Sequence, residues 1–223
     1  MPTPRAFATA AYGALVLADT ALAGRAGERP ARRVTKPLLM PTLAAGLLAA
    51  RPQGPGVRRT LAAEAFSWGG DVALLGEGRG SFLAGLGSFF GAHVAYVSAF
   101  RARSGSPLAG TRGRRRWLAA GGAAAAGMGL AAAREDRALA APVTAYALAL
   151  TLMATAAAAV DDDRGRDLTL AGAALFLLSD TLLGARKFLL HDGAPALEAA
   201  VMATYTAGQW CIAAGVASGP QPS

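Results

Sequence analysis

Two short segments deep in apolar sequence each carry one acid: Phe66-Ser67-Trp68-Gly69-Gly70-Asp71 and Leu177-Leu178-Ser179-Asp180-Thr181. An ionisable side chain at the centre of a membrane span costs about 2.5–3.5 kcal/mol on insertion scales, and such residues usually mark function. Two carboxyls in hydrocarbon can share acid–base work, one giving a proton while the other steadies positive charge or activates water. The same acids could serve a proton relay or an ion path. Each could also pair with a lysine as structural glue.

Other polar side chains join them in otherwise apolar stretches. Lys36 precedes Pro37, and Asp19 interrupts the first apolar run. His93 lies two residues after Gly91, and Tyr205 and Gln209 stand at i and i+4. Lys187 follows Asp180 by seven residues, on the same helical face. Lys36 and Lys187 are candidates for an anionic head group, with Arg186 as a neighbour. His93, Tyr205 and Gln209 are candidates for lining a substrate site, or for hydrogen bonds between helices. The only histidines are His93 and His191, too few for a three-histidine zinc site. The single cysteine, Cys211, excludes an internal disulfide and a cysteine-based metal cluster. No metal and no cofactor are expected. Asp161-Asp162-Asp163 reads as a solvated loop.

The elements that must position these residues are helices. The chain has 223 residues, of which 53% are hydrophobic and 16% charged. Soluble domains carry about 25% charged residues. Trp117 to Ala133 and Leu139 to Val160 are apolar all round, which denies an alanine-rich soluble bundle its polar faces. The expectation is an all-α, polytopic transmembrane bundle, one integral domain over residues 1–223. Eight apolar segments can be read, at about 6–23, 34–50, 61–76, 82–100, 117–133, 139–160, 167–190 and 195–217. Pro37 suits the first turn of the second. Gly87 and Gly91 have the spacing of a close helix contact. Arg5, an apolar run and Ala21-Leu22-Ala23 imitate a signal peptide, but Asp19 breaks the run, so the segment is expected to stay as the first helix.

In an eight-span layout the polar residues fall at matched depth. Asp19 and Asp71 lie late in helices 1 and 3, Lys36 at the start of helix 2, and Asp180 and Lys187 past the middle of helix 7. All five then occupy the half of the bilayer away from the termini, with His93, Tyr205 and Gln209 nearer mid-depth. One cavity opening to that side is expected, with Asp71 and Asp180 facing it. The formal charge of +8 does not point to nucleic acid, because the arginines cluster in loops at span ends, where they meet lipid head groups. A slight excess of Lys and Arg on the terminal side places both termini in the cytoplasm of what reads as a bacterial cell membrane protein.

The motifs resemble the YhhN family of lysoplasmalogenase-like integral membrane proteins. The resemblance rests on Thr35-Lys36-Pro37-Leu38, Phe66 to Asp71, Gly87-Ser88-Phe89-Phe90-Gly91-Ala92-His93, Leu178-Ser179-Asp180-Thr181 and Tyr205-Thr206-Ala207-Gly208-Gln209. It weakens through helices 5 and 6, which are little more than alanine and leucine. It implies a hydrolase that opens the vinyl ether of a lysolipid, releasing a fatty aldehyde, with Asp71 and Asp180 as its catalytic pair. The substrate partner would be a membrane lipid or lysolipid. A transporter using the same acids, or a membrane protein without catalysis, are the alternatives. The oligomeric state is not readable.

Overall fold

The computed structural model describes residues 3–25, 29–54, 56–161, 165–190 and 194–218. His191, Asp162 and Asp163 lie outside them. The described chain is helical almost throughout: α1 (Pro4–Ala23), α2 (Arg29–Ala49), α3 (Val57–Ala73), α4 (Gly78–Arg101), α5 (Arg112–Glu135), α6 (Ala140–Ala157), α7 (Arg166–Ala185) and α8 (Pro195–Ala217). A 3-10 turn (Arg137–Leu139) leads into α6, and a π-helical turn (Arg186–Leu190) continues α7. No strand occurs among the described residues. This is the economy a membrane imposes, since a helix satisfies its backbone groups internally.

The apolar segments mark the helices but not their ends. α2, α3 and α5 begin upstream of their apolar stretches, inside the charged clusters, because Arg and Lys stems can lie along the helix while their heads reach the polar interface. α3 stops at Ala73, and Leu74 to Glu77 form the turn into α4. Thr3 caps α1 by accepting from the Ala6 amide, and Thr111 caps α5 by accepting from Arg114. Pro195 opens α8, where its missing N–H is harmless.

Pro37 departs from expectation. It sits inside α2 with Pro41, and the helix begins eight residues earlier, at Arg29. Proline at position 41 has no N–H to give the carbonyl of residue 37. Trp68 on α3 supplies that donor: its Nε1 lies 3.0 Å from the Pro37 oxygen. A helix defect on α2 is thus repaired by the motif that carries Asp71.

Seven helices form a closed ring in the order α1, α2, α3, α4, α6, α7, α8, while α5 lies outside it against α6 and the π turn. α8 also reaches α2 and α3, which makes it the most inward element. The interior is aromatic and sulfur-rich, with Tyr96, Phe100, Phe176, Met40 and Met153 fully buried, while Phe7, Leu17, Leu48, Leu130 and Leu178 are exposed. Large side chains facing outward all round the bundle suit a lipid environment. Four stretches are long and apolar enough to cross a membrane on composition alone: α1, α4, α6 with its leading turn, and α7 with its π turn. Eight α-helices occur among the described residues, but the other four do not meet that standard by themselves. α3 has 17 residues, and α5 and α8 are diluted by glycine and polar groups.

The closest helix contact is not the expected Gly87–Gly91 pair. A Cβ at Gly87 would meet nothing, and one at Gly91 would meet only the Phe66 ring. The tight seam joins α7 to α8. A Cβ at Gly172 would lie 2.6 Å from the Gly208 oxygen, and one at Gly215 would lie 2.7 Å from that of Gly165. The two contacts are seven residues apart on each helix, so glycine lets backbones touch twice along one face. Gly172→Val should lower stability in detergent by about 1–3 kcal/mol or more through overpacking against backbone. Gly87→Val should leave the melting temperature near that of the parent. Equal melting temperatures for the two variants would refute the seam.

Candidate active site

The polar residues converge at one end of the bundle. Late turns of α1, α3, α5 and α7 and the first halves of α2, α4, α6 and α8 surround a chamber of about 890 Å³. Its wall includes Lys36, Asp71, Phe89, Tyr146, Asp180 and Tyr205. Its rim carries Arg25, Arg32, Arg33, Arg186 and Lys187 among the acids Glu77, Glu135 and Glu198. This is the side away from the termini.

Each aspartate has a tyrosine. On α3, Asp71 is almost wholly buried. Its Oδ2 accepts from the Tyr205 hydroxyl at 2.8 Å, and its Oδ1 lies 3.3 Å from Lys36 Nζ. On α7, Asp180 accepts from the Tyr146 hydroxyl at 2.6 Å. His93 Nε2 is 3.3 Å from the same Asp180 oxygen. That approach is close enough for an ion pair but off the line of a hydrogen bond, so the imidazole nitrogens have no hydrogen-bond partner among the described residues. Between the two acids runs an aromatic lattice. Tyr205 meets Phe89 and Phe176 edge-on at 5.8 and 5.3 Å, and His93 meets Phe176 and Tyr146 at 5.1 and 5.0 Å. Edge-to-face rings at these separations fix one another's orientation.

A second polar group anchors the rim. Asp19 is completely buried on α1, where Arg32 Nη2 lies 3.2 Å from its Oδ2 and Thr35 donates to its Oδ1 at 2.7 Å. Arg32 reaches on to Glu198 at 2.7 Å, and Arg186 also pairs with Glu198. The chain Asp19, Arg32, Glu198, Arg186 therefore ties α1, α2, α8 and the π turn together.

The sequence-selected residues divide by position. Asp71, Asp180, Lys36, Lys187 and Tyr205 all line the chamber. Lys36 is committed to Asp71, whereas Lys187 places its Nζ 4.4 Å from the centre of the Phe82 ring. His93 and Gln209 are buried behind the wall. Gln209 donates to Ser67 Oγ at 2.9 Å and accepts from Tyr96. Asp161 forms a surface loop contact. The Gly105 amide donates to it at 2.6 Å and holds its carboxyl below the usual carboxylate range, with help from Ser106.

Tyr146, Phe89, Arg32 and Glu198 escaped the sequence reading. Tyr146 carried a signal, being the one aromatic side chain in an alanine–leucine helix. Glu64 escaped as well. It is buried on α3 one turn before Ser67 and two before Asp71, and neither of its carboxyl oxygens has a hydrogen-bond partner among the described residues.

A second cavity of about 360 Å³ adjoins the chamber. Its walls are apolar residues of α4, α5, α6 and α7, and Tyr146, Asp180 and Lys187 line both spaces.

With this geometry in place, comparison with known proteins is informative. A family model described as the YhhN family matches residues 31–216. The chain belongs to the YhhN family. The match begins just before Arg32 and ends within α8, so it takes in every chamber helix except α1. No curated protein and no solved structure shows significant similarity to the chain.

The Lys36–Asp71 pair has a measurable consequence. Removing one partner of a buried ion pair strands the other, at a cost of about 3–5 kcal/mol. Lys36→Met should therefore lower the melting temperature sharply, and adding Asp71→Asn should recover most of the loss. A double variant as unstable as the sum of the two singles would show that the pair does not couple.

Proposed function

We propose that this YhhN protein is a lysoplasmalogenase-like membrane hydrolase that opens the vinyl ether of a lysolipid. The observation that carries the reading is two aspartates, each held by a tyrosine, lining one polar chamber inside an apolar bundle.

Their surroundings suit different tasks. Asp180 lies between a phenol and an imidazole, where the apolar cavity meets the chamber, which supports it as the proton donor. Asp71 has an ammonium at 3.3 Å and suits the ionised role. Asp180 transfers its proton to the β-carbon of the vinyl ether. The double-bond electrons form the new C–H bond, and an oxocarbenium ion results. The Asp71 carboxylate faces that charge and takes a proton from a water adding to the α-carbon. The hemiacetal then breaks: its hydroxyl proton returns to Asp180, and Asp71 protonates the departing glyceryl oxygen. One water is consumed, and aldehyde and glycerophospho-alcohol leave with both acids restored.

The test is to incubate purified protein with a lysoplasmalogen and, separately, with an ester lysophospholipid. Aldehyde from the first and no fatty acid from the second are expected. Asp71→Asn and Asp180→Asn should each lower turnover of the folded fraction by about a hundred- to ten-thousand-fold, because asparagine keeps shape but cannot carry the proton. Asp180→Asn should melt normally, whereas Asp71→Asn strands Lys36 and is compared with the Lys36→Met, Asp71→Asn double variant. A variant that remains near parental activity removes that aspartate from the mechanism. Because every step moves a proton between named side chains, water and substrate, turnover should survive exhaustive chelation. Its loss on chelation, with recovery on adding back one metal ion, would overturn the scheme.

A second reading, transport, draws on one observation. Thr60, Glu64, Ser67 and Asp71 form a buried polar line along α3. Proton or ion flux into proteoliposomes, abolished in Glu64→Gln, would favour it over hydrolysis.

A further inference from the structure

The apolar cavity beside the chamber has no part in the proton transfers. It lies between α5 and α7, over α6, with Gly121, Ala124, Ala125 and Met128 on one side and Leu177, Thr181 and Gly184 on the other. Trp117, Ala120, Ala124 and Thr181 are exposed on the outer surface of the bundle, so the groove opens sideways. α5 is the helix outside the ring, and small residues on its inner face leave the space that larger side chains would fill. From Met128, near the chamber, to Trp117 is eleven residues of helix, or about 16 Å at 1.5 Å per residue. That is about half of the ~30 Å hydrocarbon thickness, the depth of one leaflet.

The groove and the chamber together have the shape of an amphiphile. At one end is a polar space rimmed by arginines, at the other an apolar slot one leaflet deep. Tyr146, Asp180 and Lys187 stand at the junction. We propose that the groove between α5 and α7 holds the single hydrocarbon chain of the lipid whose anionic head occupies the chamber, and that the chain enters sideways from the bilayer. The assignment rests on the lipid-hydrolase reading for its substrate class, but not on any step of the chemistry. The bond between head and chain is thereby set beside Asp180. Ala120 and Trp117, at the end of the groove away from the junction, limit the length of chain accepted.

Binding tests this without turnover. Parent protein in nanodiscs is photolysed with a lysophosphatidylcholine carrying a diazirine at the far end of its chain, and labelled peptides are mapped. Labels concentrated on residues 117–125 and 147–151 are expected. Labels on α1 and α8, or spread evenly over the outer faces, overturn the proposal. Affinity is then compared for hexadecyl and octyl lysolipids in Ala120→Trp, eight residues or about 12 Å from Met128 and beyond the reach of the octyl chain. The long chain should bind at least about ten-fold more weakly than to the parent, the equivalent of about two methylenes withdrawn from apolar contact, with the octyl affinity unchanged. Equal loss for both chains, or none, refutes a length-limiting role. Melting temperature verifies folding, and Gly184→Leu, whose Cβ would meet the flexible end of Met128, gives a second block nearer the junction. Correct labelling without aldehyde release would sink the hydrolase reading alone. Aldehyde release with labels elsewhere would sink the groove alone.

Discussion

A charge held in hydrocarbon must find its counter-charge within the protein, and the rest of this structure is arranged around that requirement. Desolvating an ion costs several kcal/mol, and only close, well-oriented partners offset it. Asp19 meets this through Arg32 and Thr35, Asp71 through Lys36 and Tyr205, and Glu198 through Arg32 and Arg186. Each link joins two different helical elements, and all lie at the end of the bundle away from the termini. The pairs therefore do two things at once. They hold the ends of α1, α2, α3, α8 and the π turn at fixed separations, and those separations are the walls of the chamber. Asp71 is scaffold and candidate reacting group together, which is why its effects on folding and on chemistry need separate measurements.

Position along the bundle was legible in the sequence; direction around each helix was not. A rise of 1.5 Å per residue places Asp19, Lys36, Asp71, Asp180 and Lys187 in one half of the bundle by counting alone. Which of them touch depends on the order of helices in the ring, and nothing local encodes that order. So Lys36 read either as a head-group ligand or as a partner for one of the aspartates, and is found on Asp71, while Arg32, which read as a loop charge, is the hub of the rim. Pro37 misled for a related reason. Its rule concerns the helix it sits in, whereas its tolerance comes from Trp68 on another helix. The glycines of α7 and α8 are seven apart on each helix, a spacing that speaks only once the two helices are known to be antiparallel neighbours.

Alanine-rich helices 5 and 6 carried the least sequence information, yet they bound the groove. An absence of large side chains is a weak pattern to read but a strong steric fact. α5 packs outside the ring and presents alanine and glycine inward, so space remains where a leucine helix would have closed it. Tyr146, the single aromatic of α6, stands at the inner end of that space and donates to Asp180. A helix that looks featureless in composition can thus set both a cavity and the position of one reacting group.

The choice between holding a substrate and passing one through turns on the chamber floor. Below Asp71 and Asp180 the rings of Phe89, Phe176, Tyr205, His93 and Tyr96 meet edge-on, and Tyr96 stacks on Phe100 at 5.7 Å. Gln209 fastens this layer by bonding both Tyr96 and Ser67. Opening a path through it would break those hydrogen bonds and separate rings that are fully buried, losses that nothing on the far side visibly repays. Glu64 lies on that far side with no hydrogen-bond partner for its carboxyl among the described residues, and so without a bonded chain there to carry a proton onward. A floor tied in this way favours a site that admits and releases its ligand from one side, and a lateral groove beside the acids gives such a ligand a route that leaves the floor intact.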